Sequence, residues 1–161
     1  YLKGLTNYNR RTSVVEKYLP QEPAERDTFA MRAAYDDFDQ LVRLYPNSIY
    51  AIDAAQRMIH LRNNMAEYEV HVADYYMRRG AFVAAANRGE YVIENFQRTP
   101  AVPDALVIMA RAYRIMGADD LADDAIRVLR LNYPDNPDLA LLEDPRGYDQ
   151  ARKDSRWWKF W

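Results

Sequence analysis

Between Asp104 and Pro134 the chain reads DALVIMARAYRIMGADDLADDAIRVLRLNYP. Apolar residues return every three or four positions. They are Leu106, Met109, Ala110 and Tyr113 before Gly117, then Leu121, Ala122, Ala125, Ile126, Leu129 and Tyr133 after it. That period places each set on one face of an α-helix. Gly117 suits the position just past a helix, where the backbone turns left-handed. Asp119 and Asp120 put carboxylates beside the free N–H groups and the positive dipole end of the next helix. Pro134 lacks the N–H that would continue it. The stretch is predicted to be two helices joined by a short turn.

The rest of the chain follows the same grammar. It has five Gly and eight Pro in 161 residues, and the Pro residues fall at 20/23, 46, 100/103, 134/137 and 145. Spans 24–45, 47–79, 81–99 and 104–133 are free of Pro, with Gly only at 89 and 117. They are rich in good helix formers, and no run alternates as a strand would. An all-α fold is expected, with helices near 1–9, 28–45, 48–79, 81–97, 103–116 and 119–133. In 28–45 the stripe is Phe29, Ala33, Ala34, Phe38, Leu41 and Leu44–Tyr45. Residues 47–79 as one helix would be about 50 Å long, and Asn63–Asn64 mark where it would break.

The punctuation repeats. Tyr45-Pro46 returns as Tyr133-Pro134, with Phe96-Gln97 as a degenerate third copy. The spacing Leu106-x2-Met109-Ala110-x2-Tyr113-x8-Ala122-x3-Ile126-x2-Leu129-x4-Pro134 resembles the tetratricopeptide pattern, in which a unit of about 34 residues pairs two antiparallel helices. Ala34-x3-Phe38-x2-Leu41-x4-Pro46 matches its second half, and Tyr1–Leu5 its first half. The expected architecture is a tetratricopeptide-repeat α-solenoid over 1–134, divided as 1–46, 47–99 and 100–134, followed by a tail, 135–161. Residues 9–27 form a long loop inside the first unit, and the first half of the tail, interrupted by Pro137, Pro145 and Gly147, should carry little structure.

Composition excludes much chemistry. No Cys is present, so a disulfide scaffold, a thiol nucleophile and Cys-ligated metals are ruled out. Ser13, Ser48 and Ser155 lie in no nucleophile motif, and no glycine-rich phosphate loop occurs. His60 and His71 share a helix face but lack further converging ligands. The acids at 36, 37, 39, 119, 120, 123 and 124 have no EF-hand spacing and read as helix surface and capping. The expectation is a binding protein without catalytic residues, metal or cofactor. The net charge of −2 is spread evenly, so nucleic acid is not an expected partner. No apolar run is long enough to span a bilayer. The chain starts at Tyr1 rather than Met, so an upstream segment is expected.

Two features point to partners. Arg outnumbers Lys 18 to 4, and Arg favours interfaces because its planar fork pairs bidentately and stacks. Arg78, Arg79 and Arg88 flank the turn at Gly80, where Arg88 could also pair within the chain with Asp74, Glu90 or Glu94. The tail ends on Trp157, Trp158, Lys159, Phe160 and Trp161. So many aromatics should either cap the last repeat or dock on a partner or membrane interface.

The run Tyr75-Tyr-Met-Arg-Arg79-Gly80-Ala-Phe82-Val-Ala-Ala-Ala-Asn87-Arg88 resembles the BamD family of outer-membrane assembly lipoproteins, as do Tyr1–Asn7, Leu41–Ser48 and Tyr68–Ala73. The resemblance covers residues 1–134; the tail 135–161 departs from the pattern. It implies a non-catalytic scaffold of the β-barrel assembly machine on the periplasmic face of the bacterial outer membrane. Membrane contact would come only through an N-terminal lipid anchor upstream of Tyr1. The implied partners are the periplasmic domains of BamA and the other assembly lipoproteins. Arg79, Arg88, Arg78, Asn87 and Phe82 would lie on the repeats that BamA contacts. A general tetratricopeptide adaptor, such as a pilus-assembly lipoprotein or chaperone co-factor, is the alternative. A chaperone-type clamp would want lysines on the middle repeats, and Lys occurs only at 3, 17, 153 and 159.

Overall fold

Two helix ends in the chain close in the same way. Gly80 and Gly117 have φ of 74° and 78°, a region that a side chain disfavours. The N–H of Gly80 donates to Met77 O (3.1 Å) and that of Ala81 to Tyr76 O (2.9 Å); Gly117 and Ala118 donate to Arg114 O (3.1 Å) and Tyr113 O (2.9 Å). Both are Schellman motifs, which satisfy the last carbonyls of a helix and reverse the chain within two residues. A second turn type recurs at the aromatic positions. The N–H groups of Tyr45, Phe96 and Tyr133 donate to Leu41, Val92 and Leu129, and those of Ser48, Thr99 and Asn136 donate back to the aromatic carbonyls. The repeated aromatic is thus the first residue of a repeated connection.

The computed structural model describes residues 1–8 and 24–143. These form seven helices and no strand: α1 Leu2–Tyr8, α2 Ala24–Leu44, α3 Ala51–Arg78, α4 Phe82–Asn95, α5 Val102–Met116, α6 Asp119–Asn132 and α7 Asp138–Glu143. The fold is all-α, of the helical-repeat type. Helix α3 does not break at Asn63–Asn64. Leu61, Met65 and Ala66 are buried on either side of the pair, and burial of that face overrides weak local propensity.

The chain divides into two compact units, Tyr1–Met65 and Ala66–Trp161. In the first, α1 packs on α2. Met31, Ala34 and Phe38 form the buried seam of α2, with Phe38 fully buried. A Cβ on Gly4 would sit 2.7 Å from the Phe38 ring, so glycine lets α1 lie against it. Lys3 Nζ (2.8 Å) and Asn7 Nδ2 (3.0 Å) both donate to Asp37. On α3, Asp53 accepts from Arg57 Nε and from the Tyr1 hydroxyl, each at 2.7 Å. The Arg57 bond, followed by that of Tyr1, holds the Asp53 carboxyl below its ordinary value. Phe29, Leu44 and Tyr45, expected in the stripe, are exposed.

In the second unit α5 is the central helix. It packs on α4, α6 and α7, and Val102, Ala105, Leu106, Val107, Ile108, Ala110 and Ala112 are all buried. Helix α6 buries Ala122, Ala125, Ile126 and Leu129. Leu121, one residue off that seam, faces solvent.

Residues 138–143 correct the expectation of an unstructured start to the tail. Asn136 Oδ1 accepts the N–H of Asp138 (2.9 Å), which supplies the first turn of α7 with a side-chain acceptor. Asp138 pairs with Arg111, and Glu143 with Arg130 (2.8 Å). Leu139 and Leu142 are buried. Pro137 precedes this helix, where its ring does no harm.

Arg98 has φ of 65° and is the one non-glycine residue with positive φ among the described residues. A left-handed backbone costs an L-residue about 1–2 kcal/mol, partly offset by the greater unfolded-state freedom of glycine. Arg98→Gly should therefore raise the unfolding free energy by roughly 0.5–1 kcal/mol in urea titrations. A loss of stability would show that the Arg98 side chain holds the loop.

Candidate partner-binding surface

The surface around Gly80 is built by the last turn of α3 and the first turns of α4. The Schellman turn reverses the chain from one helix to the next within three residues, Arg79, Gly80 and Ala81. Arg78 pairs with Asp74 one turn back (3.3 Å). The guanidinium of Arg79 lies 5.2 Å from the centre of the Tyr75 ring, within the range of cation–π attraction. Tyr75 meets Tyr76 edge to face at 5.9 Å. Tyr75 on α3 and Arg79 just past its end are exposed, and Val83 and Asn87 are exposed one turn apart on α4. Phe82 is half-buried.

Arg88 differs from its neighbours. Its Nη1 donates to Glu69 Oε2 at 2.8 Å, and the Glu69 side chain is only 7% exposed against 43% for Arg88. The partner is therefore none of Asp74, Glu90 and Glu94. Burial alone would lower the pKa of Arg88; the hydrogen bond and charge of Glu69, with a smaller contribution from Tyr76, outweigh it and raise the pKa. The ion pair ties α4 to α3 about two helical turns back from Gly80. Arg78, Arg79 and Asn87 are left facing outward, and Arg88 sits behind them as a strut.

Glu69 is the residue that sequence reasoning missed. Met65, Ala66, Val70 and Ala73 around it are buried, so it is an acid set into an apolar helix face. A charge in that position needs a partner, and the nearest long cation across the Gly80 turn is Arg88. The aromatic tail residues Trp157, Trp158, Phe160 and Trp161, and most of the loop 9–27, lie outside the described residues.

A family model described as an outer membrane lipoprotein (YfiO) matches residues 1–129. The chain belongs to this family. The outer membrane protein assembly factor BamD of Neisseria meningitidis serogroup A is 40% identical over 161 residues, covering 100% of the chain and 58% of the relative. The protein of that name from Xylella fastidiosa Temecula1 is 43% identical over 153 residues, 95% of the chain and 52% of the relative. That of Haemophilus influenzae is 34% identical over 148 residues, 86% and 56%. The chain thus spans between half and three-fifths of the length of these relatives. The Neisseria alignment extends over the tail, whereas the family model stops at residue 129.

Proposed function

We propose that the chain is the repeat-built binding part of a scaffold subunit of the outer-membrane β-barrel assembly machine. It binds the periplasmic domains of BamA and other lipoprotein subunits, on the periplasmic face of the outer membrane, where a lipid anchor holds the full-length protein. Its mechanism is recognition by shape and charge, without turnover. The observation that carries this reading is the 40% identity to a BamD assembly factor along the entire chain. The Gly80 turn supports it locally. Arg79 is exposed, its side chain is oriented by Tyr75, and Arg78, Val83 and Asn87 are exposed on the same two turns. Such a mixed cationic, aromatic and apolar patch suits a partner carboxylate flanked by apolar side chains.

The test is Arg79→Glu, titrated against the isolated periplasmic domains of BamA. Binding should weaken by about tenfold or more, equivalent to about 1.4 kcal/mol. The melting temperature should stay constant, because among the described residues Arg79 makes only a surface ring contact. Unchanged binding would place the BamA surface elsewhere on the chain.

A further inference from the structure

The connection between α2 and α3 is uncharged and largely apolar. Residues 44–52 read LYPNSIYAI, with Arg43 before them and Asp53 after. Leu44, Tyr45, Ile49, Tyr50 and Ile52 are 60%, 63%, 84%, 46% and 74% exposed. Hydrogen bonds fold the run into two successive turns. Ser48 N–H donates to Tyr45 O and Ala51 N–H to Ser48 O, both at 3.0 Å, and Tyr50 N–H donates to Ser48 Oγ at 3.3 Å. The Tyr50 ring is stacked on Tyr1, with centroids 4.6 Å apart. Large apolar side chains are thus held outward on a preformed segment, which lowers the ordering cost of binding. Single exposed apolar residues are ordinary, but a clustered set marks an interaction site.

The charges that border the run are already neutralised within the chain. Arg43 pairs with Asp39 (3.0 Å) and Asp53 with Arg57 (2.7 Å). That balance selects among occupants. Binding to an anionic lipid surface draws on an excess of Lys or Arg beside the apolar residues, and a charged partner needs an opposite charge to meet. A second copy of the same run needs neither. In a two-fold contact the same patch meets itself, so an unbalanced charge would repel its own image and a neutral apolar run does not. The area fits a weak pair. The five side chains present on the order of 500–600 Å², the upper end of the largest patch on a typical monomer. Two copies would bury about 1,000–1,200 Å², the low end of specific interfaces.

We propose that residues 44–52 are a self-association surface, on which two copies of the chain meet about a two-fold axis through Leu44, Tyr45, Ile49, Tyr50 and Ile52. Tyr45 and Tyr50 supply the aromatic side chains that protein interfaces favour, and Ile49, the most exposed of the five, has the most surface to lose. The pairing is weak and reversible. It uses residues of the first unit only, so it does not depend on the surface proposed at the Gly80 turn.

The experiment is sedimentation velocity of the full chain at rising protein concentration. The weight-average mass should climb from that of one chain toward that of two. Ile49→Asp puts like charges near each other across the axis and should weaken the pairing by about tenfold or more, with helicity by circular dichroism unchanged because the position is exposed. Ile49→Ser should weaken it less. Mixing Ile49→Asp with Ile49→Lys should restore a pair, since opposite charges then meet where like charges did. A chain that stays monomeric at every concentration would overturn the proposal. So would pairing that Ile49→Asp leaves untouched, which would assign the contact to another face, such as the outer side of α6. Monomeric chain that instead binds phosphatidylethanolamine–phosphatidylglycerol vesicles, and loses them on Ile49→Asp, would assign the run to a lipid surface.

Discussion

Replacing Arg88 by Ala should lower the unfolding free energy by about 2–3 kcal/mol, whereas Glu69→Ala should cost only about 1 kcal/mol. The asymmetry comes from where each charge is left. Without Arg88, the Glu69 carboxylate stays in a place where its side chain is 7% exposed, with no guanidinium to meet it. Breaking a fully buried pair costs about 3–5 kcal/mol, and the lower figure reflects the water that enters the space of a half-exposed arginine. Without Glu69, the guanidinium of Arg88 can turn outward and be hydrated. Replacing both by apolar residues, Glu69→Leu with Arg88→Met, should return stability to within about 1 kcal/mol of the starting chain. Urea titrations with an unchanged denaturant slope are the measurement. Equal single costs, or additive ones, would mean that the pair is a surface contact. The result also bears on binding. Arg88→Glu would set a second carboxylate against Glu69, so it would loosen α4 from α3 as well as alter any partner contact. Arg79→Glu separates the two effects.

The fold was largely readable because its signals are local. A period of three to four, a Gly at each Schellman turn and an aromatic at each connection are all written within a few residues, and they set α4, α5 and α6 to within two residues. Three features escaped because they depend on distant partners. Helix α7 has two prolines nearby and only six residues; it forms because Arg111 and Arg130 hold its two ends and α5 and α6 bury its leucines. The continuity of α3 at Asn63–Asn64 is likewise set by burial of Leu61, Met65 and Ala66. Among the candidate site residues, Arg78 and Arg79 are on the surface as their place at a helix end suggests. The role of Arg88 was hidden because its acid is 19 positions away, on the buried face of α3, whereas the acids that the sequence offered, Asp74, Glu90 and Glu94, stand closer in the chain.

Gly89 should be the least replaceable residue of α4. Glycine inside a helix costs about 1 kcal/mol relative to alanine, so its presence there points to a closer requirement. A Cβ built on it would lie 2.5 Å from Met109 Cγ and 3.0 Å from the carbonyl oxygen of Ala105. Neighbouring Ala85 and Ala86 on α4, and Ala105 and Ala112 on α5, are also buried, so the two helices meet along small residues and approach too closely for any added atom. Gly89→Ala would gain the helix propensity but must push Met109 aside and strain against a backbone oxygen. Overpacking of this kind costs about 1–3 kcal/mol, which leaves a net loss of roughly 1–2 kcal/mol once about 1 kcal/mol of propensity is returned. Gly89→Val adds a branched side chain at the same point, and its loss should reach about 3 kcal/mol or more. Cutting back the flexible neighbour separates the two contacts. Gly89→Ala combined with Met109→Ala should recover part of the loss that the single changes predict by addition, because the methionine clash is gone while the Ala105 carbonyl remains. If Gly89→Ala is instead stabilising by about the propensity difference, α4 and α5 have room between them. The close helix contact would then not be what positions the α4 side of the Gly80 surface.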